Sequence, residues 1–326
     1  MMSKTRLISL LCFITLLSLP VFTNVQQSTR STLDEKLDRE GCVTDQQSKV
    51  IICKYDYSAD GKKIEAFTIR PLAAGKYPGL LLLSGMEGAK TLITFGSILA
   101  ERGFACLAIS ELGYGKSEGK PDFMGPNSIA AFAAGFKRFK REAFVDAGRI
   151  GVFGYSRGGM AASLLSIKLG KELKAAVFGA GVYDLKRAYD ETKFDGIRQN
   201  IKAEAGLTDK ALKERSSIRR VGKLRAAVLI IHGQNDENVP TNQALLLRDR
   251  LRELKKDYEI IILSDHKHGQ FKGNFISPVI DFLNRRLKGV PGGEGMPKTT
   301  PHNKAMQPSA GSAVLIRFFD GRSRAG

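Results

Sequence analysis

The sequence predicts an α/β fold with a mostly parallel central sheet, and three observations predict it. Short apolar runs without polar alternation recur between residues 79 and 263, the pattern of strands buried on both faces. Helical patterns separate these runs, giving the rhythm of parallel strands joined by crossover helices. One strand pattern ends in Gly154-Tyr155-Ser156-Arg157-Gly158, immediately before an apolar, Ala-rich helix at 160–169.

Taken in order, the chain opens with Lys4 and Arg6 ahead of an apolar run at 7–19, the composition of a secretory signal peptide over residues 1–23. The run is too short to span a bilayer. Export to the periplasm or the medium is the expectation, with membrane association through an uncleaved N-terminal segment as the alternative and no stable span once it is cleaved. Cys12 lies inside the apolar run, which argues against a lipid anchor there. Residues 24–61 read as an N-terminal extension and first strand, polar up to residue 47. Cys42 and Cys53 are close in sequence and can pair in an oxidising compartment, whereas Cys106 sits in an apolar strand pattern as a buried thiol.

Residues 49–57 and 64–70 are two β-rich runs separated by Ser58-Ala-Asp-Gly61, a turn signature, and predict an antiparallel hairpin at a sheet edge. From residue 78 the strands are expected at 79–83, 105–109, 149–153, 175–179, 226–231 and 259–263. Helices are expected at 91–102, 128–144, 160–169, 241–255 and 274–287. Residues 184–223 break the rhythm with charged, short helical patterns, where a lid over the C-terminal strand ends can be inserted. The catalytic domain is expected over 62–288, and the Gly-, Pro- and Lys-rich residues 289–326 as a disordered tail.

The chain has 326 residues, 43% of them hydrophobic, enough for a substantial core and incompatible with global disorder. A net charge of +18 would suit an anionic partner, but Lys and Arg are scattered along predicted helices and at both termini. No Arg-rich or aromatic-interleaved motif accompanies them, so the reading is a solvated basic surface without nucleic acid. Gly113-Tyr-Gly-Lys-Ser117 resembles the end of a phosphate loop, but the first glycine of that motif would fall at 110, where Ser110 stands. It reads as a structural turn. No cofactor or metal is expected.

The chemistry centres on Gly154 to Gly158, where a sharp strand-to-helix turn would expose the Ser156 hydroxyl above the sheet. A serine hydroxyl is a weak nucleophile at neutral pH, so it needs a histidine base held in the right tautomer by an acid. The four histidines are His232, His266, His268 and His302. His302 falls in the tail, and His232 directly follows an apolar strand as a structural residue. Asp236 lies in the loop after that strand, with Glu237 as its rival. His268 lies in the loop after the next strand, with His266 as its rival. Ser156, Asp236 and His268 then follow the chain order of α/β-hydrolases. Glu87 and Glu111, near predicted strand ends, read as surface residues first and as substrate contacts second.

Over about residues 62–287 the chain resembles the α/β-hydrolase fold, on three segments: Gly154-Tyr-Ser-Arg-Gly-Gly159, the stretch Leu229 to Pro240 containing His232-Gly-Gln-Asn-Asp236, and His268-Gly269. Its second half resembles the prolyl oligopeptidase catalytic domain and the dienelactone hydrolases. The resemblance implies Asp236 as the triad acid and His268 as the base, and demotes His266. Backbone N–H groups of Arg157 and of Met86, in the loop after the 79–83 strand, are the expected oxyanion donors. That loop reads Ser84-Gly-Met-Glu-Gly88 where relatives often carry His-Gly-Gly.

These readings predict a serine hydrolase that cleaves carboxylic esters or peptides, small-molecule or peptide substrates, through an acyl-enzyme on Ser156. The roughly fifty residues ahead of the sheet core are too few for a β-propeller, whose blades take about forty residues each. A prolyl oligopeptidase-like peptidase without a propeller is the first alternative. An acyl-CoA thioesterase or acyltransferase is the second, because residues 78–115 also resemble bile-acid-CoA:amino-acid acyltransferases.

Overall fold

The computed structural model describes residues 33, 35–264, 266–269 and 275–290. The signal segment expected at 1–23 and all but the first two residues of the expected tail lie outside them. The described residues divide into two compact units between Val43 and Thr44. Strand β1 (Cys42–Asp45) straddles their division. Cys42 and Cys53 are each in the disulfide-bonded state, and Cys106 is free and buried.

The strands that follow are β2 (Val50–Lys54), β3 (Tyr57–Ala59), β4 (Lys62–Ile64), β5 (Ala66–Pro71), β6 (Tyr77–Leu83), β7 (Ala105–Ile109), β8 (Val145–Tyr155), β9 (Ala175–Gly179), β10 (Ala227–Gly233) and β11 (Tyr258–Leu263). Within residues 44–326 the main sheet runs β2-β5-β7-β6-β8-β9-β10-β11. β2–β5 and β5–β7 are antiparallel, and every pairing from β7 to β11 is parallel. The order turns back at β6, which lies between β7 and β8. Open α/β sheets place their ligand crevice at the carboxyl ends of strands at such a point.

The helices are α1 (Ile93–Glu101), α2 (Pro126–Phe139), α3 (Arg157–Leu169), α4 (Leu185–Glu191), α5 (Asp195–Asn200), α6 (Asp209–Glu214), α7 (Asn242–Glu253) and α8 (Ile276–Leu283). Alternate residues of the parallel strands point to opposite faces. Leu81, Leu83, Leu107, Ile109, Val152 and Ile230 join a core with Phe132 and Phe136 of α2, Leu165 of α3 and Leu247 of α7. Phe153, of the other parity, packs on Phe95 of α1 with ring centroids 4.6 Å apart. Each fully buried Leu, Ile or Phe contributes about 1.5–3 kcal/mol relative to exposure, so the doubly covered sheet is the main source of stability.

Two local expectations are corrected. The hairpin exists, but in two pieces: Val50 to Lys54 pairs with Pro71 to Phe67 in the main sheet, while Tyr57 to Ala59 pairs with Ile64 to Lys62 as a separate ribbon. The ribbon is anchored elsewhere, since the Tyr57 hydroxyl donates to the Ala131 carbonyl of α2 at 2.8 Å. The helix expected to reach residue 144 stops at Phe139, and β8 begins at Val145 and runs through Tyr155. Phe139 and Phe144 carry the apolar signal that suggested one helix. They meet instead across the turn, with ring centroids 6.3 Å apart.

Candidate active site

β8 delivers Ser156 to the switch point, and the turn there is a matter of space. A Cβ on Gly154 would lie 1.9 Å from the Gly158 carbonyl oxygen, and one on Gly158 would lie 2.2 Å from that of Leu83. Either would force the strand and helix apart. Ser156 itself has φ 55° and ψ −122°, a conformation that L-residues avoid. It is held there by Ser156 N–H donating to Gly179 O at 2.8 Å and by Met160 N–H donating to Ser156 O at 3.1 Å.

Asp236 stands in the loop after β10, with its side chain fully buried. Its Oδ1 accepts from the amides of Asn238 at 3.0 Å and Val239 at 2.9 Å. Oδ2 is left facing His268 Nδ1 at 2.7 Å, and His268 Nε2 lies 2.9 Å from Ser156 Oγ. Serine, imidazole and carboxylate are thus one continuous hydrogen-bonded chain, although its two steps join residues 112 and 32 positions apart. This geometry can pass the Ser156 proton to Nε2 while Asp236 fixes the tautomer that leaves Nε2 free to accept.

The other described histidines and Glu237 stand elsewhere. His266 is buried behind the loop, its carbonyl accepting from Asn235 N–H at 3.1 Å. Glu237 is exposed and 4.0 Å from Lys193. His232 is buried, with Nε2 2.9 Å from Val239 O and 3.5 Å from Asp236 Oδ2. Burial pushes its pKa below the ordinary histidine value against the opposing pull of Asp236. A neutral His232 therefore lies behind the Asp236 carboxylate. The His268 loop is tied to the elbow by Gly269 N–H donating to the Tyr155 hydroxyl at 3.0 Å, and the Tyr155 and His268 ring centroids are 5.3 Å apart.

Next to Ser156, Arg157 opens α3, and its side chain is buried. Its Nε and Nη2 donate to the two oxygens of Glu111 at 2.6 and 2.7 Å, and Nη2 also donates to Glu204. The guanidinium lies 4.4 Å from the Phe123 ring centroid and 5.0 Å from that of Tyr114. Burial disfavours the charge, but the two carboxylates outweigh it and hold the Arg157 pKa above its ordinary value. Glu111 is a correction to the surface placement expected of it: its side chain is fully buried. A charge just after an apolar strand reads as a strand end at the surface. Only a partner 46 residues away makes burial affordable. Glu87 is exposed as expected. Gly113 to Ser117 is a turn in which Ser117 Oγ accepts from Glu65 N–H at 3.0 Å.

Met86, in the loop after β6, is 45% exposed. Gly85 beside it lies against the elbow, since a Cβ there would be 3.5 Å from Arg157 Cβ. Among the described residues no group of His, Cys, Asp and Glu is arranged to hold a metal ion. No helix among them is long and apolar enough to cross a membrane.

A Ser-His-Asp chain set on a strand-to-helix elbow of a mostly parallel sheet defines a serine hydrolase of the α/β-hydrolase fold. The prolyl oligopeptidase family matches residues 96–289, and the chain belongs to that family. It is 32% identical over 218 residues to the Bacillus subtilis protein described as uncharacterized peptidase YtmA, covering 65% of this chain and 84% of that one. Dipeptidyl-peptidase 5 of Porphyromonas endodontalis is 23% identical, and the match spans only 33% of its length. Among solved structures, Pyrococcus horikoshii acylaminoacyl peptidase superposes with a TM-score of 0.65 at 19% identity, over 75% of this chain and 43% of that one. Acetyl xylan esterase 1 from Thermoanaerobacterium superposes with a TM-score of 0.60 at 16% identity, over 82% of this chain and 98% of that one.

Proposed function

We propose that this chain hydrolyses carboxylic esters through an acyl-enzyme on Ser156, with His268 as general base and Asp236 as its orienter. The observation that carries the reading is the continuous chain Ser156 Oγ, His268 Nε2 at 2.9 Å, and His268 Nδ1 to Asp236 Oδ2 at 2.7 Å. Ser156 Oγ attacks the acyl carbon as its proton passes to Nε2. The tetrahedral oxyanion is held by the Arg157 amide and, in our reading, the Met86 amide. Collapse breaks the bond to the leaving alkoxide, which takes the proton from Nε2. Water then attacks the acyl-enzyme with His268 again as base, releasing the acid and restoring Ser156.

Residues 184–223 are proposed as a lid. Thr192 Oγ1 reaches Asn238 O at 3.4 Å beside the Asp236 loop. Asn200 Nδ2 is 3.7 Å from Met86 Sδ, and Glu204 is paired with Arg157. The segment therefore touches the acid loop, the oxyanion loop and the elbow, the three sides of the nucleophile. Export is the proposed localisation, supported by the Lys4, Arg6 and apolar 7–19 pattern and by the disulfide-bonded state of Cys42 and Cys53.

A second reading is peptide hydrolysis, favoured by the Bacillus relative, which is described as a peptidase and covered over 84% of its length. An amine leaves less readily than an alkoxide and must receive its proton from His268 as it goes, so peptides ask more of the same geometry. Parallel turnover of p-nitrophenyl esters, peptide p-nitroanilides and acyl-CoA, with Ser156→Ala as control, separates the readings. Ester turnover that vanishes in Ser156→Ala, together with loss of fluorophosphonate labelling, is the expected result. Labelling that persists in the variant would sink the assignment, and p-nitroanilide turnover exceeding ester turnover would put the peptidase reading first.

A further inference from the structure

The strained nucleophile and the guanidinium beside it are two ends of one device. Ser156 keeps its unfavourable backbone conformation only while its surroundings over-determine it. Its neighbour Arg157 is held by Glu111, just after β7, and by Phe123 and Tyr114 from the following loop. The fourth contact comes from another part of the chain. Glu204 belongs to the short helical turn Ile201–Ala205 after α5, within the 184–223 segment. One of its carboxylate oxygens accepts from Arg157 Nη2, and the other accepts from the Tyr114 hydroxyl at 2.5 Å. Its side chain is 13% exposed, so water competes little for either bond.

From this arrangement we propose that Glu204 is a positioning residue that couples the seating of the 184–223 segment to the orientation of the Arg157 backbone amide. The inference rests on the serine-hydrolase reading above, in which that amide holds the oxyanion. The Arg157 N–H is one of the unpaired amides that open α3, so its direction follows the first helical turn. Glu111 and the two rings fix the guanidinium from the sheet side. Glu204 fixes it from the 184–223 side, and only with that segment seated does Nη2 hold both carboxylates. Glu204→Gln keeps the length and an acceptor oxygen but removes the charge that makes the bond to Arg157 strong. Arg157 retains its bidentate partner Glu111, so the buried guanidinium is not left unpaired in the variant.

The test measures p-nitrophenyl acetate hydrolysis and the rate of fluorophosphonate inactivation in wild type, Glu204→Gln and Asp190→Asn. All rates are normalised to active sites titrated with the same phosphonate. Asp190 is in α4 of the same segment and, among the described residues, pairs with Lys186 at the surface. Because small displacements of a catalytic donor cost rate steeply, Glu204→Gln should lower kcat and the inactivation rate on the order of tenfold with KM within about twofold. Asp190→Asn should match wild type, and melting temperatures should stay close for all three. Unchanged kcat per titrated site in Glu204→Gln, or a rise in KM alone, overturns the proposal. So does a rate loss shared equally by Asp190→Asn. If Ser156→Ala is still labelled, the serine reading fails and this inference with it. If labelling is confined to Ser156 and Glu204→Gln reacts as fast as wild type, this inference alone fails.

Discussion

His268 Nδ1 lies 2.7 Å from Asp236 Oδ2, while the other oxygen of Asp236 takes the amides of Asn238 and Val239 at 3.0 and 2.9 Å. The two backbone donors decide which oxygen faces the imidazole. They also decide what an amide would do in the same place.

In Asp236→Asn the carbonyl oxygen should keep the two N–H donors, which leaves the NH₂ group facing His268 Nδ1. That nitrogen must then accept, and the proton moves to Nε2, where it points at Ser156 Oγ and blocks proton transfer. Loss of the correct tautomer in such a triad costs about 10⁴ in kcat. We expect a fall of about 10³–10⁴ in ester kcat at neutral pH, with the melting temperature little changed. A loss of tenfold or less in steady-state assays would show that Asp236 does not set the tautomer.

Gly158→Ala should fail for steric reasons. The added Cβ would sit 2.2 Å from the Leu83 carbonyl oxygen, a backbone atom that no rotamer change can move. Overpacking typically costs 1–3 kcal/mol, and a contact this short against backbone should reach about 3 kcal/mol or more. Urea unfolding should show the midpoint falling by that equivalent, with esterase activity lost. A variant as stable and active as wild type would contradict the tight elbow.

His232 should make stability depend on pH. Burial holds its folded pKa below the unfolded value of about 6.5, so the unfolded chain binds more protons near that pH. The stability associated with neutral His232 is therefore fully present above about pH 6.5 and is lost as pH falls from there through the folded pKa. Melting curves between pH 8 and 5 should show a steeper acid loss for wild type than for His232→Gln, which cannot titrate there. Equal slopes would mean that another group sets the acid limit.

Much of the fold was legible because its signals are local. A strand buried on both faces needs an apolar run of its own, and a tight elbow needs glycine on either side of the serine, so β6 to β11 and the turn at Ser156 could be placed from neighbouring residues. The candidate order Ser156, Asp236, His268 rests on the same kind of signal, each residue following a strand pattern, and the fold brings the three side chains together. His268 and Asp236 were separated from His266 and Glu237 only by family resemblance, since two residues of spacing carry no direction.

Other features depend on contacts between distant residues. Glu111 and Glu204 look like surface charges in their own segments, and they become partners of a buried guanidinium 46 and 47 positions away only when β7, α3 and the turn at 201–205 converge. Where the hairpin splits, Tyr57 bonds the Ala131 carbonyl 74 residues on, and where the helix ends, Phe139 and Phe144 pack across a turn. Local pattern sets which element a segment can form and where a nucleophile can stand. Which charges are buried, and what aims the groups around Ser156, is a matter of desolvation and pairing across the whole domain, and that exists only once the chain has folded.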